Sequence, residues 1–293
     1  MRITLTGATG FLGRTLVQRL SANGHSICLL TRKSVTGLAE NVEIFMWDPP
    51  RVAPPAESLE MSDAVIHLAG TPVNQRWTAE AKNELRASRI DSTRTLVQSL
   101  SALGRRPPLL LSASAIGFYG ERGDELLDES SSVGEGFLAS LSEDWEKQAN
   151  LARSLGMRVN CLRTGIVLGK GGALESMLPP FRFGVGGKLG TGQQWMSWIH
   201  VDDWVGMVLH LLENQSGSGP ANLTGPNPVR NLEFTATLGR VLRRPALLTV
   251  PAFALKLLLG EMSTVVLMSQ RVVPTTKYEF RFPGLEAALR SLL

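Results

Sequence analysis

The run TGATGFLG, from Thr6 to Gly13, contains the residues whose types and spacing are most typical of a functional site. The run follows an apolar strand-like stretch and precedes a helical pattern, which indicates a strand-to-helix turn. Gly7 permits a tight turn, Gly10 lets the backbone approach a pyrophosphate, and Gly13 allows close packing of the helix on the strand. The N–H groups at the start of the helix then face the phosphates of a dinucleotide. An ordinary strand–helix turn is the alternative, and the strand that follows the helix favours the dinucleotide site.

The end of the second predicted strand indicates which dinucleotide this turn would hold. An NAD site offers an Asp or Glu to the ribose hydroxyls about 20 residues beyond the glycine-rich turn. This chain has Thr31, Arg32 and Lys33 instead. A carboxylate there would repel a 2′-phosphate, whereas a guanidinium can bind it through two hydrogen bonds. The sequence therefore predicts NADP(H) rather than NAD(H), with a solvated basic loop as the alternative.

Four motifs, in this order along the chain, resemble those of extended short-chain dehydrogenases/reductases. They are TGATGFLG, HLAG (His67–Gly70), LRTGIVLG (Leu162–Gly169) and WIHVDD (Trp198–Asp203). More closely, the run RWTAEAKNELRASRIDSTRTLV, the run MLPPFRFGVGGKLGTGQQWMSWIHVDD and the SQRVVP tail resemble one atypical subfamily. These are uncharacterised NAD(P)-dependent epimerase-family proteins with a C-terminal domain of unknown function, some of which are called cell-division inhibitors. The resemblance covers almost the whole chain.

The resemblance also implies which residues reach the cofactor. Leu68, Ala69 and Gly70 pass beside its ribose, while Glu84 and Arg89 reach it from the long helix after the fourth strand. From the sequence alone, an exposed charged helix face is the better interpretation of Glu84 and Arg89. The full set of predicted cofactor-binding residues is Thr6, Gly7, Thr9, Gly10, Phe11, Leu12, Gly13, Thr31, Arg32, Leu68, Ala69, Gly70, Glu84, Arg89 and Val167.

The catalytic residues that the resemblance implies are incomplete in this chain. Such proteins ordinarily carry a Ser or Thr after the fifth strand and a Tyr-x-x-x-Lys pair on the next helix. The Tyr is the acid/base, and the Lys lowers its pKa. Ser114 matches the Ser. Alignment of the helix on Trp145 and Glu146 places Leu138 at the Tyr position and Ser142 at the Lys position, and neither can move a proton as the pair does.

Tyr119 follows the strand end that faces the nicotinamide in this fold, so we predict Ser114 and Tyr119 as the catalytic residues. Packing in a turn beside Gly120 is the alternative for Tyr119, because an ordinary Tyr does not deprotonate near neutral pH. The unperturbed pKa of a His side chain lies near neutrality, so His200 could serve as the acid/base, but the resemblance favours a structural role for it. Residues that the resemblance places along the substrate cleft are Arg163, Gln193, Trp198, His200 and Asp202.

Short apolar runs alternate along the chain with amphipathic stretches, and the strands and helices that they predict must position the residues named above. This pattern predicts an α/β fold, a Rossmann doubly wound parallel sheet with a smaller C-terminal substrate lobe. We assign residues 1–163 to the NADP-binding domain, to which 197–229 returns, and 164–196 and 230–293 to the lobe. Strands are predicted at Arg2-Leu5, Ser26-Thr31, Val42-Trp47, Ala64-Leu68, Leu109-Ala113 and Arg158-Arg163. Helices are predicted at Leu12-Asn23, Ala79-Leu103 and Phe137-Leu155, each followed by a Gly.

Composition limits the class of protein further. A chain of 293 residues with 43% apolar residues can bury a sizeable core, and its net charge of +4 is spread without a basic run, so nucleic acid is not an expected partner. Cys28 and Cys161 lie in strand-like stretches, and we expect them to be buried thiols rather than metal ligands. The stretch from Val250 to Met268 is interrupted by Lys256 and Glu261, which indicates a buried helix rather than a membrane span.

We expect a cytoplasmic NADP(H)-dependent oxidoreductase or epimerase acting on a small polar substrate, which could be nucleotide-sugar-like. A catalytically silent NADP(H)-binding sensor or scaffold is the alternative, because the Tyr-Lys pair is missing. The sequence predicts no metal site and no membrane partner, and it leaves a homodimer open. The tail between Pro274 and Phe282 is several residues shorter than in the family that the chain resembles. The sequence therefore does not predict the local fold of the last helix.

Overall fold

The elements of the fold are defined in a computed structural model that describes residues 1–37, 39–214 and 217–293. Its strands are β1 Arg2–Thr6, β2 Ser26–Thr31, β3 Val42–Met46, β4 Ala64–His67, β5 Leu109–Ala115, β6 Leu126–Leu127, β7 Arg158–Thr164, β8 Ile166–Leu168, β9 Gly187–Leu189, β10 Trp195–Met196, β11 Trp198–His200, β12 Gly219–Leu223, β13 Val229–Arg230, β14 Leu248–Val250 and β15 Arg271–Val272. Its α-helices are α1 Phe11–Ala22, α2 Ala56–Leu59, α3 Ala79–Arg86, α4 Ser92–Ser101, α5 Phe137–Asn150, α6 Gly172–Arg182, α7 Val201–Glu213, α8 Asn231–Leu242, α9 Ala252–Leu259, α10 Ser263–Leu267 and α11 Leu285–Leu292.

A parallel sheet of seven described strands, in the order β12-β7-β5-β4-β1-β2-β3, forms the centre of the molecule. Apolar residues of α1 and α7 pack on one face of the sheet, and those of α4 and α5 pack on the other. The predicted Rossmann fold is therefore confirmed. β12 was not predicted from the sequence, because its residues GPANL lack the apolar run of a central strand. The pairing of β12 with β7 brings the chain back to the sheet after residue 197.

The helix predicted at 79–103 is interrupted. The structure has α3, then a π-helical turn over Ala87–Asp91, then α4, which ends at Ser101. A π turn adds one residue to the helical repeat and rotates the following side chains. It lies at Ser88 and Arg89, directly beneath the loop that follows β4.

The carboxy-terminal lobe has its own core, formed by side chains of α6, α8 and α11 together with Trp198. The tail before α11 runs back over the sheet domain, where Tyr278 and Phe280 pack on the core beside α7. Asp203, fully buried in α7, accepts hydrogen bonds from the backbone N–H groups of Arg281 (2.7 Å) and Phe282 (2.9 Å). The short tail thus leads into a regular last helix because one carboxylate holds the turn before it.

The buried helix predicted for Val250 to Met268 is wrong. Pro251 precedes α9, and Gly260 follows it at φ +61°, so the stretch forms short helical pieces instead of one helix. Phe253, Leu257 and Leu258 are exposed by 73%, 82% and 75%. Within the described residues, no helix is long and apolar enough to cross a membrane.

We expect Asp203→Ala to lower the free energy of unfolding by roughly 1.5–3 kcal/mol, since two backbone donors lose a charged acceptor. Urea unfolding measures the difference. Asp91→Ala is the control, because Asp91 forms an exposed ion pair with Arg94 that contributes little. Equal losses in the two variants would show that Asp203 does not hold the tail.

Candidate functional site

The turn between β1 and α1 is tightly packed at two of its glycines and open at the third. Gly7 adopts φ +76°, and a β-carbon there would lie 2.7 Å from the carbonyl carbon of Leu68. A β-carbon on Gly13 would overlap the carbonyl oxygen of Gly7. At Gly10 a β-carbon would meet only that same oxygen, at 3.4 Å, and would otherwise point into open space. The turn therefore offers at Gly10 the room that a pyrophosphate needs.

Phe11 anchors the start of α1 rather than facing the cleft. Its ring lies against Gly169, Gly171 and Gly172, where β-carbons would come within 3.2 Å of the ring or closer. Gly10 is the helix N-cap, and no side chain in the described residues caps the helix. The N–H groups of the first turn are thus available to an anion, in the orientation that the helix dipole favours.

A buried polar network fixes the loop after β4. Thr6 Oγ1 accepts hydrogen bonds from the N–H groups of Leu68 and Ala69, both at 3.1 Å, and lies 2.7 Å from His67 Nδ1. Because Thr6 accepts twice, its own proton is donated to His67. Burial lowers the pKa of His67 to about 4, so this imidazole is neutral. The network sets the spacing between the two loops that flank the cleft.

Arg89 supports the same loop from below. Its Nη2 donates to the carbonyl oxygen of Thr71 (2.9 Å), and its guanidinium would lie 3.3 Å from a β-carbon on Gly70. Burial lowers the pKa of Arg89 to about 10. Glu84 is exposed and accepts from Thr71 Oγ1 at 3.2 Å. Both side chains hold the loop, and their contact with the cofactor stays a prediction from the sequence.

A cleft of about 300 Å³ opens where these loops meet. Eight of the fifteen predicted cofactor residues line it, while Thr6, Leu12, Gly13 and Val167 are not among its lining residues. Trp47, Pro49 and Ser88 also line it and were missed, since nothing in their local sequence marks them. The described residues of its wall are Gly7, Ala8, Thr9, Gly10, Leu30, Thr31, Arg32, Trp47, Pro49, Leu68, Ala69, Gly70, Thr71, Pro72 and Ser88.

The cleft continues past Arg32 into a wider groove of about 1050 Å³ between α1 and the loop after β2. Arg14, Arg32 and Lys33 line this groove, and none of its described lining residues is a carboxylate. Arg14 was missed by the sequence analysis. Its position one helical turn after Gly10 was the available signal, because that spacing turns it toward the end of β2.

At the end of β5, Ser114 belongs to a buried charged network. Its hydroxyl donates to Glu146 Oε1 at 2.6 Å. Arg163 Nε and Nη2 donate to the two oxygens of the same carboxylate, at 2.8 and 2.9 Å. Burial alone would lower the pKa of Arg163, but the hydrogen bonds and charge of Glu146 raise it above its ordinary value. Ser114 therefore presents its lone pairs, and not its proton, to any further partner.

Tyr119 adopts the alternative that the sequence left open, packing in a turn. The ring is fully buried, its hydroxyl donates to Asn222 Oδ1 at 2.7 Å, and it accepts from Arg163 Nη1 at 3.0 Å. Burial raises the pKa of Tyr119, and the charge of Arg163 offsets this only in part. The basis for predicting Tyr119 as a catalytic acid is thereby removed. The signal that was missed is Asn222, which lies on the strand that the sequence analysis did not assign.

The helix face that would carry the Tyr-Lys pair holds Leu138, Ser142 and Glu146, one turn apart. Leu138 packs against Gly117, where a β-carbon would lie 3.1 Å from that of Leu138, and Ser142 is buried. The residues predicted for the substrate cleft do not gather either. Trp198 is buried and donates to the carbonyl oxygen of Asn227, whereas Gln193 is exposed. Arg163 donates to Glu146 in the network beside Ser114.

His200 has the structural role that the sequence favoured. Its Nδ1 accepts from the N–H of Asp202 at the start of α7, so its Nε2 donates to Ser291 Oγ at 3.1 Å. Burial lowers the pKa of His200. The described residues contain no group of three or more His, Cys, Asp or Glu side chains that could hold a metal ion.

The sheet, the glycine-rich turn and the adjoining cleft define a Rossmann-type nucleotide-binding protein. The family model for the NAD dependent epimerase/dehydratase family matches residues 3–223, and a domain of unknown function, DUF1731, matches residues 250–292. The chain belongs to the NAD dependent epimerase/dehydratase family. The family predicted from the sequence is confirmed.

Three relatives illustrate the similarity. The chloroplastic SDR39U1 homologue of Arabidopsis thaliana is 44% identical over 306 residues, covering 100% of this chain and 87% of its own. The structure of human SDR39U1 with NADPH is 33% identical, covers 100% of this chain and 99% of its own, and has a TM-score of 0.90. The structure of a nucleoside-diphosphate sugar epimerase from Corynebacterium glutamicum is 31% identical, with a TM-score of 0.78 over 99% of this chain and 57% of its own.

We expect Tyr119→Phe to lower the free energy of unfolding by roughly 1–3 kcal/mol, because Asn222 and Arg163 each lose a buried partner. Denaturant unfolding measures this. Tyr278→Phe is the control, since its hydroxyl makes no hydrogen bond to the described residues and should cost less. An unchanged stability of Tyr119→Phe would contradict the buried role.

Proposed function

We propose that this protein binds NADP(H) in the cleft beside Gly10 and uses it for hydride transfer to or from a small polar substrate. The observation that carries the proposal is the groove beyond Arg32, which is lined by three cations and, among its described residues, by no carboxylate. A 2′-phosphate needs such a groove, and a free ribose hydroxyl does not. The NADPH in the human relative's structure supports the same choice.

The residues that hold the cofactor follow from the cleft. The first turn of α1 and the open space at Gly10 take the pyrophosphate, and Leu68 to Gly70 pass beside the ribose. Arg32 binds the 2′-phosphate, with Arg14 and Lys33 adding charge from the groove walls. When bound, the nicotinamide supplies or accepts the hydride.

The proton is handled by Ser114 and Glu146. Ser114 donates to Glu146, so a substrate hydroxyl can donate to Ser114 Oγ while Ser114 passes its own proton to Glu146 Oε1. The substrate carbon loses a hydride and its oxygen loses a proton, which leaves a carbonyl group. Arg163 donates to both oxygens of the same carboxylate and so fixes the orientation of the proton acceptor. In this direction the relay oxidises an alcohol, which is also the first step of an epimerisation at that carbon.

A second candidate is an NADP(H)-binding sensor or scaffold without turnover. The observation that favours it is the helix face of α5, where Leu138 and Ser142 stand in place of an acid/base pair.

We propose a nucleotide-sugar-like molecule as the substrate of the enzyme, in agreement with the name of the C. glutamicum relative. We propose the cytoplasm as the setting because both cysteines are buried free thiols, although the Arabidopsis relative is chloroplastic.

Arg32→Ala is expected to weaken NADP(H) binding by roughly 1.5–3 kcal/mol, the range for hydrogen bonds to a charged group. Binding of NAD(H) should change little. Isothermal titration with both cofactors measures the two losses. Arg51→Ala, an exposed Arg outside both parts of the cleft, is the control. Equal losses for NADP(H) and NAD(H) would show that Arg32 does not recognise the 2′-phosphate.

Ser114→Ala is expected to lower the rate of hydride transfer by roughly 10²- to 10⁴-fold, the contribution of a positioned acid/base. NADPH affinity should stay the same. Absorbance of the reduced nicotinamide, followed with a panel of sugar nucleotides and small hydroxy compounds, measures the rate. Ser112→Ala is the control, because Ser112 is buried on the same strand without contact to Glu146. Full turnover in Ser114→Ala refutes the relay, and tight NADPH binding with no turnover of the wild type favours the sensor.

A further inference from the structure

One face of the carboxy-terminal lobe exposes a group of large apolar side chains. We call it the α9 face, and it consists of Phe183, Leu247, Phe253, Leu257 and Leu258. Phe183 and Leu247 are exposed by 83% and 89%, and the three side chains of α9 are exposed by similar fractions. Single exposed apolar residues are common on protein surfaces, whereas a contiguous group of them marks a protein or membrane interaction site.

The chain segments that carry these residues lie side by side. Strands β9 and β14 pair in parallel, which joins the segment after Phe183 to the segment before α9. A β-carbon on Gly184 would lie 3.6 Å from the ring of Pro245, and a β-carbon on Gly190 would lie 3.7 Å from that of Ala252, the first residue of α9. The three segments therefore form one continuous surface.

The orientation of α9 directs two of its large side chains away from the lobe. Leu255 is the buried residue of this helix. At 3.6 residues per turn, Phe253 and Leu257 each lie about 160° around the helix axis from Leu255, so they point in the opposite direction. Lys256 lies on the flank between the buried and the exposed side. Phe253 and Leu257 gain no burial within the lobe, and a partner would have to supply it.

The same segments carry four exposed cations, and none of them forms an ion pair with a described residue. These cations are Arg182, Arg243, Arg244 and Lys256. Residues 179–190 and 241–268 contain a single carboxylate, Glu261, which is bound to Lys82. The α9 face therefore combines apolar side chains with a positive charge that the surrounding segments do not balance.

This charge distinguishes between the surfaces that could cover the face. A second copy of the chain, paired through the same face, would bring the cations of both copies together, and like charges repel at short distance. An anionic phospholipid surface attracts each Lys and Arg near it, and its boundary between headgroups and acyl chains accepts Phe and Leu side chains. We propose that the α9 face binds the surface of an anionic phospholipid membrane.

The attachment that this face supports lies in the membrane interface and needs no spanning helix, and the described residues contain none. The expectation of no membrane partner considered only a span of Val250 to Met268, whereas the structure exposes apolar residues of this stretch. A few apolar side chains with a small basic patch give reversible binding. The attachment does not depend on the proposed hydride transfer.

Co-sedimentation of the full chain with lipid vesicles tests the proposal. Vesicles of phosphatidylcholine alone, and of phosphatidylcholine and phosphatidylglycerol in equal amounts, are titrated into the protein. We expect saturable binding to the anionic vesicles, weaker binding to the neutral ones, and a loss of affinity with added salt, which screens the attraction. Leu257→Ser should weaken binding roughly 10-fold through lost apolar burial. Lys256→Gln should weaken it roughly 5-fold through the loss of one positive charge.

Leu151→Ser and Arg51→Gln are the matched controls, because each changes an exposed side chain of the same kind outside the lobe. Both should bind vesicles as the wild type does, and thermal unfolding followed by circular dichroism checks that every variant is folded. Absence of binding to anionic vesicles, equal binding to neutral ones, or an unchanged affinity of Leu257→Ser overturns the proposal.

Two other outcomes assign the face to a different occupant and also overturn the proposal. A dimer in sedimentation equilibrium that Leu257→Ser abolishes, without vesicle binding, assigns the face to a second copy of the chain. Binding of polyglutamate that Lys256→Gln weakens, again without vesicle binding, assigns it to an acidic protein surface.

Discussion

The ion pair between Glu146 and Arg163 is the interaction on which the proposed reaction centre depends. It joins α5 to β7 through two hydrogen bonds in a buried setting. Removing one partner of such a pair leaves an uncompensated buried charge, at a cost of about 3–5 kcal/mol. Ser114 donates into the pair from one side, and Tyr119 accepts from it on the other. The orientation of both hydroxyls therefore depends on this pair.

The Glu146–Arg163 ion pair also places a cation near Ser114, although the chain lacks the Tyr and Lys of the usual catalytic pair. In the arrangement that the sequence resemblance implies, the cation comes from a Lys on α5. Here the α5 positions hold Leu138 and Ser142, and the cation comes from β7, where Arg163 is the register partner of Ser114. A guanidinium held by a carboxylate cannot give up its proton. In the proposed relay the effect of Arg163 is electrostatic, and Glu146 is the proton acceptor.

The parts of the structure that could be predicted are those encoded by local spacing. The glycine-rich turn and six strands of the sheet follow from runs of a few residues, and the structure contains them with small shifts at their ends. Tyr119 could not be assigned in this way, because its partner Asn222 is 103 positions away on an unassigned strand. The contacts that Arg89 and Glu84 make with the loop after β4 could not be predicted for a related reason. The π turn beneath the loop decides where Arg89 points, and no periodicity in the sequence marks it.

The carboxy-terminal segment around Val272 is held against the segment after β5 by hydrogen bonds to backbone carbonyl oxygens and by packing of the buried Val272 side chain on Phe118 and Tyr119. Gln270 binds two carbonyl oxygens of the segment after β5, and Ser197 Oγ both donates to the Gln270 carbonyl and accepts from Val272. These hydrogen bonds come from the side chains of Gln270 and Ser197, so the position of the segment depends on both residues. Because Gln270 binds the carbonyl oxygens on both sides of Tyr119, the carboxy-terminal segment fixes the turn from which Tyr119 donates to Asn222 and accepts from Arg163.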